Sequence, residues 1–181
     1  MSRSTSILAR VALFAGLAFG LSALAASAQE NACTLGEARV IPPASFSLEI
    51  VIANTDTLAG FQIPFSFDYE GIPIACDSIS FAGGDCRDFG FQDVKIDNQA
   101  KIAYLAATNN GRVEDNISPL APGRHPVARA YFSVERVDLT TDVTFGQSRY
   151  PHDRLDFSFL MWTPQAEEVK ASFNFSNLRL R

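Results

Sequence analysis

The chain has 181 residues, with 15 basic against 20 acidic side chains, a formal charge of −5, two histidines and three cysteines. Such an acidic chain has no basic patch to track a phosphate backbone or hold an anionic membrane, so nucleic acid and lipid headgroups are excluded as expected partners. Arg3 and Arg10 frame the start of an apolar run over residues 11–25 that ends at Ala26-Ser27-Ala28. A positive start, a short apolar core and a small-x-small site predict a secretory signal peptide over residues 1–28, cleaved after Ala28. The run is short for a membrane span and no charged stop follows it. The first cysteine, Cys33, lies five positions past Ala28, which speaks against a lipid-modified terminus. Secretion to a periplasmic or extracellular space is therefore expected. The mature chain keeps 153 of the 181 residues, and without the two leader arginines its balance is 13 basic to 20 acidic, or −7. That length suits one domain with a real core, expected over 38–181 behind a flexible segment, 29–37.

Residues 38–41 read as a short strand stopped by Pro42-Pro43. Phe46, Leu48, Ile50 and Ile52 then alternate with Ser47, Glu49, Val51 and Ala53, the period-two pattern of a half-buried strand, and Asn54-Thr55-Asp56-Thr57 ends it as a turn. Within 58–69, Phe61, Ile63, Phe65, Phe67 and Tyr69 share one face and Gln62, Pro64, Ser66 and Asp68 the other. Pro64 cannot donate to a ladder, which predicts an edge or a bulge at that point. Glu70-Gly71 turns the chain into 72–81, where apolar residues recur without clean alternation. Residues 82–91 read as a loop rich in glycine and aspartate. In an oxidising compartment Cys76 and Cys86 would close that loop, stabilising by about 2–3 kcal/mol, with Cys33 left over; a Cys33 bridge to either partner is the alternative.

Val94 and Ile96 suggest a short strand before the turn-formers Asp97-Asn98. Residues 101–108 form another, closed by Asn109-Asn110-Gly111, where Asn and Gly accept positive φ. Residues 119–123, Pro-Leu-Ala-Pro-Gly, form a loop. In 127–135 the residues Ala128, Ala130, Phe132 and Val134 are expected to face inward. Val143 and Phe145 start a short strand, and 157–162 and 169–176 alternate as two more. No helical stripe of ten residues occurs in the mature chain. Eight to ten short strands joined by turns predict an all-β, single-domain antiparallel sandwich or barrel, since parallel sheets need long crossovers.

The order of features resembles a cohesin domain, a nine-stranded jelly-roll sandwich related to bacterial carbohydrate-binding modules. The resemblance rests on 47–54 followed by Leu58-Ala59-Gly60, on Phe67-Asp68-Tyr69 followed by 72–81, and on Pro119-Leu120-Ala121-Pro122-Gly123 leading into 127–134. Together these cover most of residues 38–180. The resemblance implies a non-catalytic module, since cohesins dock small calcium-binding dockerin domains. It departs from scaffolds in that one domain stands in place of an array, with no dockerin repeat, linker or sorting tail before Arg181.

The chain offers little for catalysis. His152-Asp153, with Asp156 and Ser148 or Ser158, lacks the context that activates a nucleophile, and His125 sits in a turn. The acid pairs Asp85 with Asp88 and Glu167 with Glu168 read as loop acids, which leaves a glycosidase as the third reading. No cysteine spacing fits zinc, and Gly83-Gly84 lacks the lysine of a phosphate cradle. Asp85, Asp88 and Asp93 are the calcium candidates, as hard oxygen donors around one loop, although no EF-hand pattern is present. No other cofactor is expected. Trp162, with Tyr131 and Tyr150, could stack on sugar rings. Asn116 and Asn174 begin Asn-x-Ser sites, which matter only on a eukaryotic secretory route. The expected function is a secreted binding module for an extracellular protein, dockerin-like or other, linked to polysaccharide breakdown; the alternative is a carbohydrate-binding module built on Trp162 and the tyrosines.

Overall fold

The computed structural model describes residues 30–41, 44–109, 118–138, 140–152 and 155–180, and gives backbone alone for 40, 41, 152 and 155. The leader reading (1–28) and the Asn116 site lie outside the described residues. Twelve strands run in sequence: β1 (Ala32–Ile41), β2 (Ser45–Asn54), β3 (Gly60–Tyr69), β4 (Ile74–Ser80), β5 (Phe91–Asp97), β6 (Ile102–Thr108), β7 (Gly123–Val134), β8 (Val143–Gln147), β9 (Tyr150–His152), β10 (Leu155–Phe157), β11 (Leu160–Trp162) and β12 (Ser172–Asn174). One sheet has the order β12-β1-β2-β7-β4; the other has β11-β3-β6-β5, with β8 also on β3. All pairings are antiparallel except β1 with β12, where the two ends of the domain lie side by side. This is the expected all-β sandwich, with twelve short strands in place of nine because the late segments are broken: 157–162 is split at Ser158-Phe159, and Tyr150–Phe157 folds into a separate hairpin.

The alternation foreseen in the sequence sets the core. Phe61, Ile63, Phe65, Phe67 and Tyr69 of β3 are all buried, and so are Ala128, Ala130, Phe132 and Val134 of β7. At the centre, two cross-strand aromatic pairs face each other: Phe46 with Phe132 in one sheet and Phe67 with Phe145 in the other. Phe132 stacks on Phe46 at 4.9 Å and meets Phe67 and Phe145 edge-on at 5.3 and 5.7 Å. A second row, Phe65, Phe175, Phe173 and Phe159, closes the side of the sandwich beside β12. The Tyr69 hydroxyl donates to the carbonyl of Asp138 (2.8 Å) and accepts its N–H (2.7 Å), tying β3 to the chain between β7 and β8.

Pro64 is tolerated by a break in its neighbour. β11 pairs with Gly60 to Gln62 and β8 with Phe65 to Tyr69, so the missing N–H falls in the gap between them. The uneven pattern of 72–81 comes from a β-bulge at Asp77, which shifts the register of β4 on β7 between Cys76 and Ser78.

Two expectations are corrected. Within the segment expected to be flexible, 29–37, the described residues 32–37 are strand: β1 begins at Ala32 and is inserted between β2 and β12, and Asn31 accepts the Thr55 N–H at 2.7 Å. Buried Cys33, with Leu35 two residues on packed against the core, gives that segment an apolar face to hold. The Cys76–Cys86 bridge is absent, and all three cysteines are buried free thiols. Cys76 lies opposite Phe132, whereas Cys86 donates to the carbonyl of Val127 at 3.1 Å. Those two points on β7 are five residues, or about 16 Å, apart. A disulfide needs Cα atoms within about 7 Å.

Phe132→Ala is expected to destabilise the domain by about 3–5 kcal/mol, and Phe132→Leu by clearly less, because the first leaves a cavity between both aromatic pairs. Denaturant unfolding followed by far-ultraviolet circular dichroism checks this. A cost for Phe132→Ala below about 1 kcal/mol contradicts the central role of the ring.

Candidate interaction face

Register places the outward side chains of β3, β6 and β5 in rows across one sheet face. Phe91, Thr108, Gly60 and Trp162 form one row. Asp93, Ala106, Gln62 and Leu160 form the next, and Lys95, Tyr104 and Pro64 the third. The residues near the middle of this face are small or flat, and later segments of the chain cover them. Phe157 of β10 stacks on Tyr104 at 4.7 Å and Tyr150 of β9 lies at 5.9 Å. The Gln62 amide donates to the carbonyl of Ser158 at 2.7 Å. Burial first, and the Asp93 carboxylate second, push the Tyr104 phenol up to about 12.

Trp162 belongs to this cover. A Cβ on Gly60 would meet its indole at 2.3 Å and the carbonyl of Ala107 at 2.8 Å, so glycine is what lets the ring lie on the sheet. The ring is half-buried. The sugar-stacking trio does not assemble: Tyr150 and Trp162 sit on this face, while Tyr131 is on β7, outside the other sheet between Ser47 and Ser78.

The β5 side of the face stays open. Phe91 is 48% exposed and is the exposed large apolar side chain among the described residues. Expected at the end of a loop, it instead starts β5, opposite Thr108. The alternation of Val94 and Ile96 with Asp93, Lys95 and Asp97, carried back two residues, is the signal that puts Phe91 on the outer face. The preceding loop is fastened behind it. The Gln92 amide donates to the carbonyls of Cys86 (2.9 Å) and Arg87 (2.8 Å), and the Asp85 N–H donates to the carbonyl of Pro126 (2.8 Å). His125 stands between Asp85 Oδ2 and the carbonyl of Ala121, each 2.8 Å from a ring nitrogen. Arg87 and Asp88, paired at 3.3 Å and largely exposed, belong to the loop that leads into β5.

The calcium candidates are not brought together. Asp85 faces His125, Asp88 faces Arg87, and Asp93 faces Lys95 at 2.7 Å, so each carboxylate already has a cationic or ring partner. Among the described residues no group of three or more His, Cys, Asp or Glu is placed to hold a metal ion. Glu167 and Glu168 are exposed beside Trp162, the latter bridged to it through backbone. The His152 side chain and Asp153 lie outside the described residues; Ser158 is exposed. Asn174 is exposed, and its amide donates to Ser172 at 2.8 Å. The thiols are shielded: burial pushes Cys76 and Cys86 up to about 12, and Cys33 higher still.

Two outcomes follow from these contacts. Gly60→Ala should lift Trp162 off the sheet, lowering stability by about 1–3 kcal/mol and shifting the emission of this sole tryptophan to the red. An unchanged spectrum contradicts the packing. The native chain should show no fast-reacting thiol at neutral pH and three after unfolding without oxidant; a single thiol after unfolding means that two of the three are bridged and contradicts the free thiols. The same raised thiols fix a sign. Unfolded thiols ionise near 9 and the folded ones higher, so their contribution is complete below pH 9 and is lost as pH rises from 9 toward 12.

No protein-family model and no curated protein sequence matches the chain. Solved structures do. The non-cellulosomal cohesin from the archaeon Archaeoglobus fulgidus has a TM-score of 0.56 and 11% identity, covering 84% of this chain and 91% of that one. The second type II cohesin module of the ScaA scaffoldin of Acetivibrio cellulolyticus has a TM-score of 0.59 and 12% identity, with coverages of 86% and 99%. The type I cohesin of the Coh-OlpA–Doc918 complex from Clostridium thermocellum has a TM-score of 0.58 and 9% identity, with coverages of 80% and 94%. At such identities the likeness concerns the fold, and the fold of this chain is cohesin-like.

Proposed function

We propose that this chain is a secreted, non-catalytic binding module that docks a protein partner on the open side of its β3-β6-β5 face. The observation that carries the reading is Phe91: a large apolar side chain exposed at the start of β5, on the same face as Asp93 and Lys95. An exposed aromatic anchor with polar neighbours is the usual anatomy of a protein-binding hot spot. Among the described residues the face offers no cleft with facing carboxylates and no activated nucleophile, which speaks for binding over catalysis.

The cohesin-like fold supports the same reading, because structures of that fold include cohesin–dockerin complexes. The partner proposed is a small dockerin-type domain. Calcium dependence of the complex would then reside in the partner, since Asp85, Asp88 and Asp93 are engaged within this chain. A polysaccharide link would come through what that partner carries. No specific observation favours sugar stacking, because Tyr131 is on the opposite sheet and Trp162 is packed on Gly60.

The test is retention on the immobilised chain of proteins from the producing cell's secreted fraction, with calcium and with a chelator. A protein bearing dockerin-type loops should be held with calcium and released without it. Phe91→Ala should weaken its binding by about tenfold or more, the effect of truncating an aromatic anchor. Equal binding by Phe91→Ala overturns the assignment of the face, and retention of nothing above background overturns the function.

A further inference from the structure

The four sheet margins of the sandwich are not alike. β11 and β12 have three residues each and β8 has five, too short to template another strand. β4 is longer but blunted. It is bulged at Asp77, and the Asn98 side-chain amide takes both backbone groups of Cys76, accepting its N–H at 2.8 Å and donating to its carbonyl at 3.1 Å. β5 is the exception among the described strands. Its seven residues pair with β6 in an unbroken register, and no strand is hydrogen-bonded along its other side, although β4 of the facing sheet approaches it. Its inward residues Val94 and Ile96 are only half-buried and pack on the core from this open side.

We infer that the β5 edge pairs with the β5 edge of a second copy of this chain, antiparallel and centred on Val94. The charges of the strand select both the occupant and the register. Asp93, Lys95 and Asp97 point to the same face as Phe91. A two-fold axis perpendicular to the sheet keeps like faces together and so requires one residue to face itself. Centred on Lys95, the register would oppose Lys95 to Lys95 and Asp93 to Asp97. Centred on Asp93, it would oppose Asp93 to Asp93. Centred on Ile96, it would oppose Lys95 to Asp97 but overlap only residues 95–97. Centred on Val94, it opposes Asp93 to the second copy's Lys95 and Lys95 to its Asp93, with Phe91 opposite Asp97, while all seven residues overlap. Directly opposed like charges destabilise a strand pair and opposite charges stabilise it. On the inner side the same register sets Val94 against Val94 and Ile96 against Gln92, which finishes the burial that one copy leaves incomplete. The two Phe91 faces then lie side by side on one continuous sheet. The inference is independent of the partner-docking function, which concerns the face and not the edge.

Sedimentation of the full secreted chain over a concentration series tests it. The wild-type mass should rise toward twice the monomer value at high concentration, as expected of a small, weak interface. Asp93→Lys and Lys95→Asp should each stay monomeric, because each opposes like charges across the axis. Mixed in equal amounts, the two variants should recover the doubled mass, since every opposition is then favourable. Recovery also shows that both variants are folded. Val94→Cys should give a disulfide-linked dimer on mild oxidation, since Cα atoms facing across an antiparallel pair are about 4.5–5.5 Å apart. A wild-type chain that remains monomeric throughout leaves the edge to some other strand and overturns the inference. Single variants that dimerise like the wild type, or a mixture that does not recover, overturn the register.

Discussion

The contact on which the rest of this sandwich depends is the meeting of two cross-strand aromatic pairs at Phe132. A β-sandwich built from non-local strands orders long stretches of chain before its sheets gain anything from each other. Phe46 and Phe132 bury fully within one sheet, and Phe67 and Phe145 lie under them from the other. Two early strands, β2 and β3, and two late ones, β7 and β8, are therefore fixed through one ring. Edge-on contacts of the kind Phe132 makes add about 0.5–1.5 kcal/mol each beyond the area they bury. Once the sheets are held at this spacing, the alternation of β2, β3 and β7 decides which residues are inside and which form faces.

The strands with strict alternation were legible. Residues 46–53, 58–69 and 127–134 carry two-residue periodicity through aromatic or branched side chains, and they became β2, β3 and most of β7. What escaped notice was decided by contacts between distant segments. Residues 32–37 read Ala-Cys-Thr-Leu-Gly-Glu, with no alternation, and become strand because β2 and β12 supply partners on both sides. The disulfide reading failed for a related reason. Sequence distance suggested a closed loop, but β4 and the loop after it run along β7 in one direction, carrying Cys76 and Cys86 steadily apart. Pro64 marks neither the edge nor the bulge expected of it: β3 is an inner strand in regular register, and the missing N–H falls where β11 ends and β8 begins.

The two faces of the sandwich have been spent differently. Outside β1, β2 and β7 the surface is polar. The Arg39 guanidinium holds the Glu37 carboxyl below its usual range through a hydrogen bond and charge, and Arg129 reaches Glu49 at 3.2 Å. Exposed pairs of this kind add little stability, but they keep a flat face from sticking. Outside β3 and β6 the small residues Gly60 and Ala106 admit the cover formed by Trp162 and the β9–β10 hairpin. Phe91 is left beyond the reach of that cover, which is why it stands exposed. Its exposure could not be read from the sequence, since it depends on where the hairpin stops.

The charges of β5 can be read as protection against aggregation, because charged residues are the common way to blunt an edge. That reading and pairing with a second copy are compatible. A row of one sign would repel every copy in every register. Asp93, Lys95 and Asp97 alternate in sign instead, so a shift of one residue of the axis from Val94 sets like charges against each other, whereas the centred register does not. The pattern rejects a slip of one residue, and the Ile96-centred register, which also opposes Lys95 to Asp97, keeps only three strand residues overlapped, so charge and overlap together favour the Val94-centred arrangement. Because that arrangement uses the edge on both copies, it closes after two chains and offers no further edge of the same kind. An edge that must be neither sticky nor silent is served better by alternating charges than by a bulge, and β4, which has the bulge and the Asn98 amide, shows that this fold had the other solution available.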